Sequence, residues 1–402
     1  MRGNPLRFAV VVAALVFAGG TGARATGPGT GTPPAGTIVP GEALVRFRPG
    51  TPAVAALAAH ARAGASVVGM IRAIEYQRVR FDPAMPIQGV LASYRNDPSV
   101  AIAEPNYSAR IAAAPNDPCF GGSCAGVTGQ WALGMTNTPA GWPRVTGSTP
   151  TASQKRTLSR VMVAVLDTKV DAAHADFANA GGASSDAAAG GQLDLSGARD
   201  WIPPAQQGGA ARYHGTYVAG LVAAATNNAT GIASIGARAT ILPLTVVDGT
   251  GRADAASLAD AIGYAHARGA RVINLSLGLT ADSQAVRDAI RAATQGTAPA
   301  LVIAASGNNT GSTPFYPGSY PEVLSVAGTN ASDGAASCSN YNANVSLSAP
   351  AERVVSLDAG GGLVAPPCGT SAAAPQVSGL AALLFAQDPA RSPAEVRRLL
   401  ER

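Results

Sequence analysis

The chain has 402 residues, of which 47% are apolar and 13% charged, with 47 glycines and 29 prolines. Such a chain can bury a large core and is long enough for more than one unit, which excludes wholesale disorder; the glycines and prolines follow no triplet period, which excludes collagen. The net charge is +5, but lysine occurs only at Lys155 and Lys169 and the arginines are scattered, so there is no clustered basic face for nucleic acid.

Arg2 and Arg7 precede an apolar run from Phe8 to Ala18, and small residues follow as far as Ala23-Arg24-Ala25. A charged start, a short apolar stretch and an A-x-A site are the layout of a secretory leader. The run falls short of the ~20 residues of a membrane span. Residues 1–25 are therefore expected to be a removed signal peptide, and the product is expected outside the cytoplasm, either secreted or periplasmic. An uncleaved anchor is the alternative. Residues 26–38, TGPGTGTPPAGTI, read as a flexible linker.

From Gly41 the pattern changes. GEALVRFRPG alternates like a strand that ends in a turn, Ala53 to Ala63 has helical spacing, and Glu75 to Phe81 alternates again. Ile87 to Arg95 reads as a helix ending before Asn96-Asp97-Pro98, and Ser99 to Ala103 as a last strand. The expectation is a β-α-β-α-β unit, an open-faced α+β sandwich without a catalytic cluster.

Residues 108–160 show few regular patterns. Beyond them the sequence alternates. Apolar runs at Val161–Leu166, Ile241–Val247, Val272–Leu277, Leu301–Ala305 and Val323–Val326 are separated by helical stretches at Gly215–Ala225, Ala255–Arg268 and Ser283–Ala293. Continuous apolar runs fit strands covered on both faces. The expected fold class is α/β, a doubly wound parallel sheet, in which ligands gather beyond the carboxyl ends of the strands.

Reactive residues stand at those ends. Asp167 follows the first run, His214 opens HGTYVAG, Ser371 lies in GTSAAAPQVSG at a helix start, and Asn308 lies in AASGN. A serine hydroxyl needs a base to take its proton, an imidazole can do so, and a buried carboxylate can orient the imidazole. The developing oxyanion needs donors, which a helix-start N–H and a fixed side-chain amide supply. Each residue alone has a plainer explanation as a cap or turn residue. Together they are chemically complementary, and a binding domain has no need of the set.

Four cysteines allow three pairings. Cys119 with Cys124, and Cys338 with Cys368, are favoured because loop neighbours meet most easily; buried free thiols are the alternative. With four histidines in the chain, neither pair has zinc spacing.

DTKVDAAHADF, HGTYVAG, AASGN and GTSAAAPQVSG resemble the signature blocks of the subtilisin-like serine proteases, the subtilase family. The resemblance extends along the chain, from VAIAEPNY near the end of a propeptide to the strands of ATILPLTVVDGTG and VINLSLG. It implies a pre-pro-enzyme, with a small ferredoxin-like propeptide domain at 39–110 and a catalytic domain at 111–402. Asp167 would orient, His214 act as base and then acid, Ser371 attack, and Asn308 bind the oxyanion. Ser276, Leu277 and Gly278 would line one side of the substrate cleft, and Ala304, Ala305 and Ser306 the facing wall. The resemblance implies protein or peptide substrates and a propeptide that acts as internal inhibitor and chaperone, removed between Tyr107 and Asn116. A monomer is expected, with no nucleic-acid partner, no membrane partner after leader removal and no cofactor for chemistry. Asp176 and Asn227 fall near positions that bind structural calcium in some relatives, although a solvated loop is the alternative and the metal question stays open. The catalytic alternatives are a pseudoenzyme and an acidic Ser-Glu-Asp peptidase; the second lacks the His-Gly block.

Several positions depart from the family pattern. Lys169 stands for a Gly, Tyr217 and Gln376 for histidines off the triad, and Ala372 for the Met that commonly follows the nucleophile. Tyr316-Pro317 resembles a family cis-proline turn beneath the specificity pocket, and Phe315 before it is placed to fill the pocket floor.

Overall fold

The computed structural model describes residues 38–107, 114–146, 160–179, 184–237, 239–296 and 298–402. The leader, nearly all of the linker and most of the expected cleavage segment lie outside the described residues. The chain forms two compact units that divide between residues 111 and 112.

The first unit runs β1 (Ile38–Phe47), α1 (Ala53–Arg62), β2 (Ala65–Ile71), β3 (Tyr76–Phe81), α2 (Ile87–Arg95) and β4 (Val100–Tyr107). Its sheet order is β2-β3-β1-β4, with antiparallel pairing throughout. That is the ferredoxin-like βαββαβ arrangement. The core joins Val45, Val79, Val90, Leu91 and Tyr94. Strand β2 corrects the expected β-α-β-α-β order. It lies at the sheet edge, and its register shifts between Val67 and Gly69. The shift breaks the period of two, and Val67, Met70 and Ile71 stay exposed, so no clean alternation marks the strand.

The second unit is built on a seven-stranded sheet. In chain order its strands are β5 (Val161–Asp167), β6 (Arg199–Asp200), β7 (Ala239–Thr245), β8 (Val272–Leu275), β9 (Leu301–Ala305), β10 (Leu324–Thr329) and β11 (Val345–Pro350). They lie in the order β11-β10-β9-β8-β5-β7-β6, all parallel. The principal helices are α3 (His214–Ala223), α4 (Ala255–Ala267), α5 (Gln284–Gln295), α6 (Thr370–Gln387) and α7 (Pro393–Leu400). Alternate residues of β5 enter different cores. Val163 and Val165 meet α3 and α6 on one face, while Ala164 and Leu166 meet α4 and α5 on the other. The apolar runs are therefore covered on both faces, as their lack of alternation implies.

Pro243 lies inside β7, where a missing N–H would break an interior ladder. Ile241 N donates outward to Gln192 O at 2.8 Å. Two residues on, Pro243 turns its missing donor toward the same edge, where β6 pairs only with Leu244 and Thr245. The chain order reverses between β5 and β8, so the crevice of this sheet opens beyond the ends of those two strands.

Helices α3 and α6 touch through backbone. A Cβ on Gly379 would lie 2.8 Å from Val222 O and 2.9 Å from Gly236 N. Neither atom can swing aside as a side chain can. Helix propensity alone would favour alanine at Gly379 by about 1 kcal/mol, but the forced backbone shift outweighs it. Gly379→Ala should cost a net ~1–3 kcal/mol, read as a lower thermal midpoint by circular dichroism; an unchanged or raised midpoint would contradict this packing.

Candidate active site

Asp167 is the last residue of β5 and His214 the first of α3. His214 Nδ1 lies 2.8 Å from Asp167 Oδ1. The same carboxylate oxygen accepts from Thr168 N at 2.7 Å. Asp167 is buried and His214 is one-quarter exposed, so the imidazole has one edge on a charge and another toward solvent. With Nδ1–H donated to the carboxylate, Nε2 is left as the basic nitrogen.

This approach depends on Gly215. A Cβ there would sit 2.0 Å from Thr168 O, and Gly215 N donates to Thr168 Oγ1 at 2.7 Å. Any larger residue would push the start of α3 away from the end of β5.

Ser371 lies in the first turn of α6, where the N–H has no intrahelical acceptor. Its carbonyl is also set apart. Pro375, four residues on, has no N–H with which to close the helical bond to Ser371 O. Ser276 Oγ donates to that carbonyl instead, at 3.1 Å. Asn274 Nδ2 supports Ser276 Oγ at 3.0 Å, and Ser378 Oγ donates to Asn274 Oδ1 at 2.9 Å. All three partners are buried, so a closed polar chain ties α6 to the end of β8.

Asn308 follows β9. Its Oδ1 accepts from Thr370 N and Thr370 Oγ1, each at 2.8 Å. These two bonds fix which end of the amide is the donor. A Cβ built on Gly369 would lie 3.0 Å from Ser371 Oγ, 4.0 Å from Asn308 Nδ2 and 4.0 Å from Ser371 N. One hydroxyl and two N–H donors therefore border a single space. The remaining link is open, since among the described residues no hydrogen bond joins Ser371 Oγ to His214. Catalytic hydrogen bonds are often long before substrate binds.

Around this space, Ser276 is buried, and Leu277 and Gly278 are half-buried. Ala304 and Ala305 turn their side chains into the two opposite cores, so β9 can offer the cleft only its backbone and Ser306, which is itself buried. Cys338 and Cys368 form a disulfide, as do Cys119 and Cys124. The first bond joins the segment that holds the Asn308 loop, through Thr310 N to Cys338 O at 3.1 Å, to the segment that leads into Ser371. Tyr316-Pro317 is cis. Lys169 needs no positive φ and pairs with Asp200 at 2.5 Å. Gln376 Nε2 donates to Pro350 O at 2.8 Å and to Ala372 O at 2.9 Å. Ala372 is buried behind Ser371.

Asp176 and Asn227 both accept hydrogen bonds from neighbouring N–H groups. Asp176 accepts from Asn228 Nδ2 at 2.9 Å and from Ile232 N at 2.8 Å. Asn227 Oδ1 accepts from Asn116 N at 3.0 Å.

Residues 159–402 match the subtilase family, and residues 26–106 match the fervidolysin N-terminal prodomain. The chain belongs to the subtilase family. It is 35% identical over 315 residues to a thermophilic serine proteinase of Bacillus sp. (strain AK1), covering 78% of this chain and 70% of that protein. It is 31% identical over 287 residues to thermitase of Thermoactinomyces vulgaris, covering 71% and 90%. A solved protease from Pseudoalteromonas arctica superposes with a TM-score of 0.55 at 27% identity, covering 71% of this chain and 91% of that one. This subtilase is thus a serine-type endopeptidase with a prodomain.

Several residues that shape the site escape sequence reasoning. Thr168 and Thr370 are ordinary in type and gain meaning only from what they touch. Pro375 was missed as well, although a proline four residues after a helical serine frees that carbonyl and is the signal that could have found it.

Burial opposes protonation of His214, but the Asp167 charge and hydrogen bond outweigh it and hold the imidazole pKa above its ordinary value. A raised pKa keeps the ring cationic to higher pH. Titration by NMR should place the His214 midpoint above the ordinary ~6.5, and Asp167→Asn should move it down, because burial then acts without the opposing charge. A wild-type midpoint at or below the ordinary value would refute this balance.

Proposed function

We propose that this subtilase cuts peptide bonds with Ser371 as nucleophile, His214 as base and then acid, Asp167 as its orienting anion and Asn308 as oxyanion donor. The observation that carries the reading is the space beside Gly369, bordered by Ser371 Oγ, Asn308 Nδ2 and Ser371 N, in a site where His214 is already bonded to Asp167.

The steps follow from the groups. Ser371 Oγ attacks the scissile carbonyl carbon while His214 Nε2 takes its proton. The electron pair moves to the carbonyl oxygen, which meets Asn308 Nδ2 and the Ser371 N–H. His214 returns the proton to the leaving nitrogen, the C–N bond breaks, and an acyl-enzyme on Ser371 remains. Water then attacks by the same path and releases the acid. Asp167 stabilises the imidazolium in each half without accepting a proton. Because the neutral ring is the base, activity falls on the acid side through the raised His214 pKa.

The leader pattern supports export, and the residues between Tyr107 and Asn116 are the proposed point of self-cleavage. The prodomain would be the first substrate and afterwards an inhibitor. Protein substrates, the monomeric state and the absence of a cofactor from the chemistry belong to the same reading. Among the described residues no helix is long and apolar enough to cross a membrane.

The full chain and its Ser371→Ala variant should be purified in parallel. Wild type should lose its N-terminal unit and hydrolyse casein, and the variant should keep the unit and do neither. Loss of the unit from purified variant would overturn self-processing. Equal casein hydrolysis by both would overturn the assignment of Ser371.

Asn308→Leu should lower kcat about 10²–10³-fold with little change in KM, the size of loss known for the like asparagine in a subtilisin. A change confined to KM would assign Asn308 to ground-state binding instead.

A further inference from the structure

Two glycines beside the site share one neighbour. A Cβ on Gly278 would lie 2.3 Å from Phe315 Cε1 and 2.6 Å from its Cζ. A Cβ on Gly307 would lie 2.9 Å from Phe315 Cγ and 3.0 Å from its Cβ. The far edge of the ring therefore rests on the backbone at Gly278, and its root rests on the backbone at Gly307.

These two backbones frame a slot next to Ser371. Gly278 ends the segment that follows β8, and that segment holds Ser371 O through Ser276. Gly307 follows β9, and its N–H donates to Thr370 Oγ1 at 3.2 Å. Strands β8 and β9 are paired neighbours, so their extensions leave the sheet side by side on either flank of the nucleophile's loop. Main chain exposed along such extensions suits an extended peptide. The side chain on the acyl side of the cut bond would then point into the slot.

Phe315 is fastened there. Its N–H donates to Ser319 Oγ at 3.0 Å. Tyr316 and Leu279 exchange backbone bonds, Leu279 N to Tyr316 O at 2.5 Å and Tyr316 N to Leu279 O at 3.0 Å. A Cβ on Gly318 would lie 2.5 Å from Ala305 O, so the next turn lies directly on the end of β9. The ring is therefore held between the walls, and not merely beneath them as the sequence led us to expect.

We infer that Phe315 occupies the upper part of the primary specificity pocket and restricts cleavage to bonds after small residues, namely glycine, alanine or serine. The inference rests on Ser371 being the nucleophile. A ring wedged between two backbones leaves no room for a second ring, whereas a methyl group needs only the mouth of the slot. Steric exclusion of this kind separates substrates more strongly than the ~1–3 kcal/mol that one methylene is worth in an accommodating pocket.

The test uses processed enzyme from the full chain and paired p-nitroanilides, succinyl-Ala-Ala-Pro-Ala and succinyl-Ala-Ala-Pro-Phe. Wild type should show kcat/KM at least about tenfold higher for the alanine substrate, and Phe315→Ala should raise the phenylalanine-to-alanine ratio by about thirtyfold or more. A wild-type preference for phenylalanine, or a ratio that Phe315→Ala leaves unmoved, would overturn the inference. A variant that fails to fold leaves a second readout. Mass spectrometry of wild-type casein digests should find small residues before most cuts, and a majority of Phe, Tyr or Leu would overturn it equally. No cleavage of either peptide or of casein would instead remove the nucleophile assignment and this inference with it.

Discussion

The bond between Asp167 and His214 exists because two stretches of backbone come closer than any side chain would permit. Helix α3 begins against the end of strand β5, with Gly215 in van der Waals contact with the Thr168 carbonyl and its N–H on the Thr168 hydroxyl. A carboxylate at a strand end and an imidazole at a helix start are then set at bonding distance by main chain alone. Main chain is the stiffest part of a packed domain, and catalytic geometry that rests on it needs no reorganisation when charge develops.

The other half of the site is held by the opposite device, a hydrogen bond that a helix fails to make. Pro375 leaves the Ser371 carbonyl without its helical partner, and Ser276 takes the vacant place. Ser371 is thereby joined to the sheet, and α6 cannot slide along its axis without breaking a buried polar chain. Thr370 does comparable work for Asn308, with both of its donors on one amide oxygen. The Cys338–Cys368 bond closes the same two segments a second time through covalent chemistry.

The sheet could be read from sequence because strands covered on both faces must be apolar without interruption, and Val161–Leu166 or Leu301–Ala305 fit no other element of that length. Helix starts were equally plain where a reactive residue stood next to a glycine. Strand β2 was not, because a bulge and an exposed edge erase the alternation that marks a strand. The candidate reactive residues could be named because His214 is one of four histidines in the chain, and because Asp167 and Ser371 stand at a strand end and a helix start. Their supports are threonines, serines and an asparagine, types that recur everywhere along the chain, and only tertiary contact tells Thr370 or Asn274 from the rest. Lys169 shows the converse. It stands where the family pattern has a glycine, and the local backbone keeps φ negative while the ammonium finds Asp200.

Ala372, buried next to Ser371 in the first turn of α6, bears on how the site would meet an oxidant. A methionine in that place would offer peroxide a thioether whose conversion to sulfoxide swells and polarises the wall next to the serine. Alanine presents no such atom. The sulfurs of Cys338 and Cys368 are bonded to each other and carry no free thiolate either.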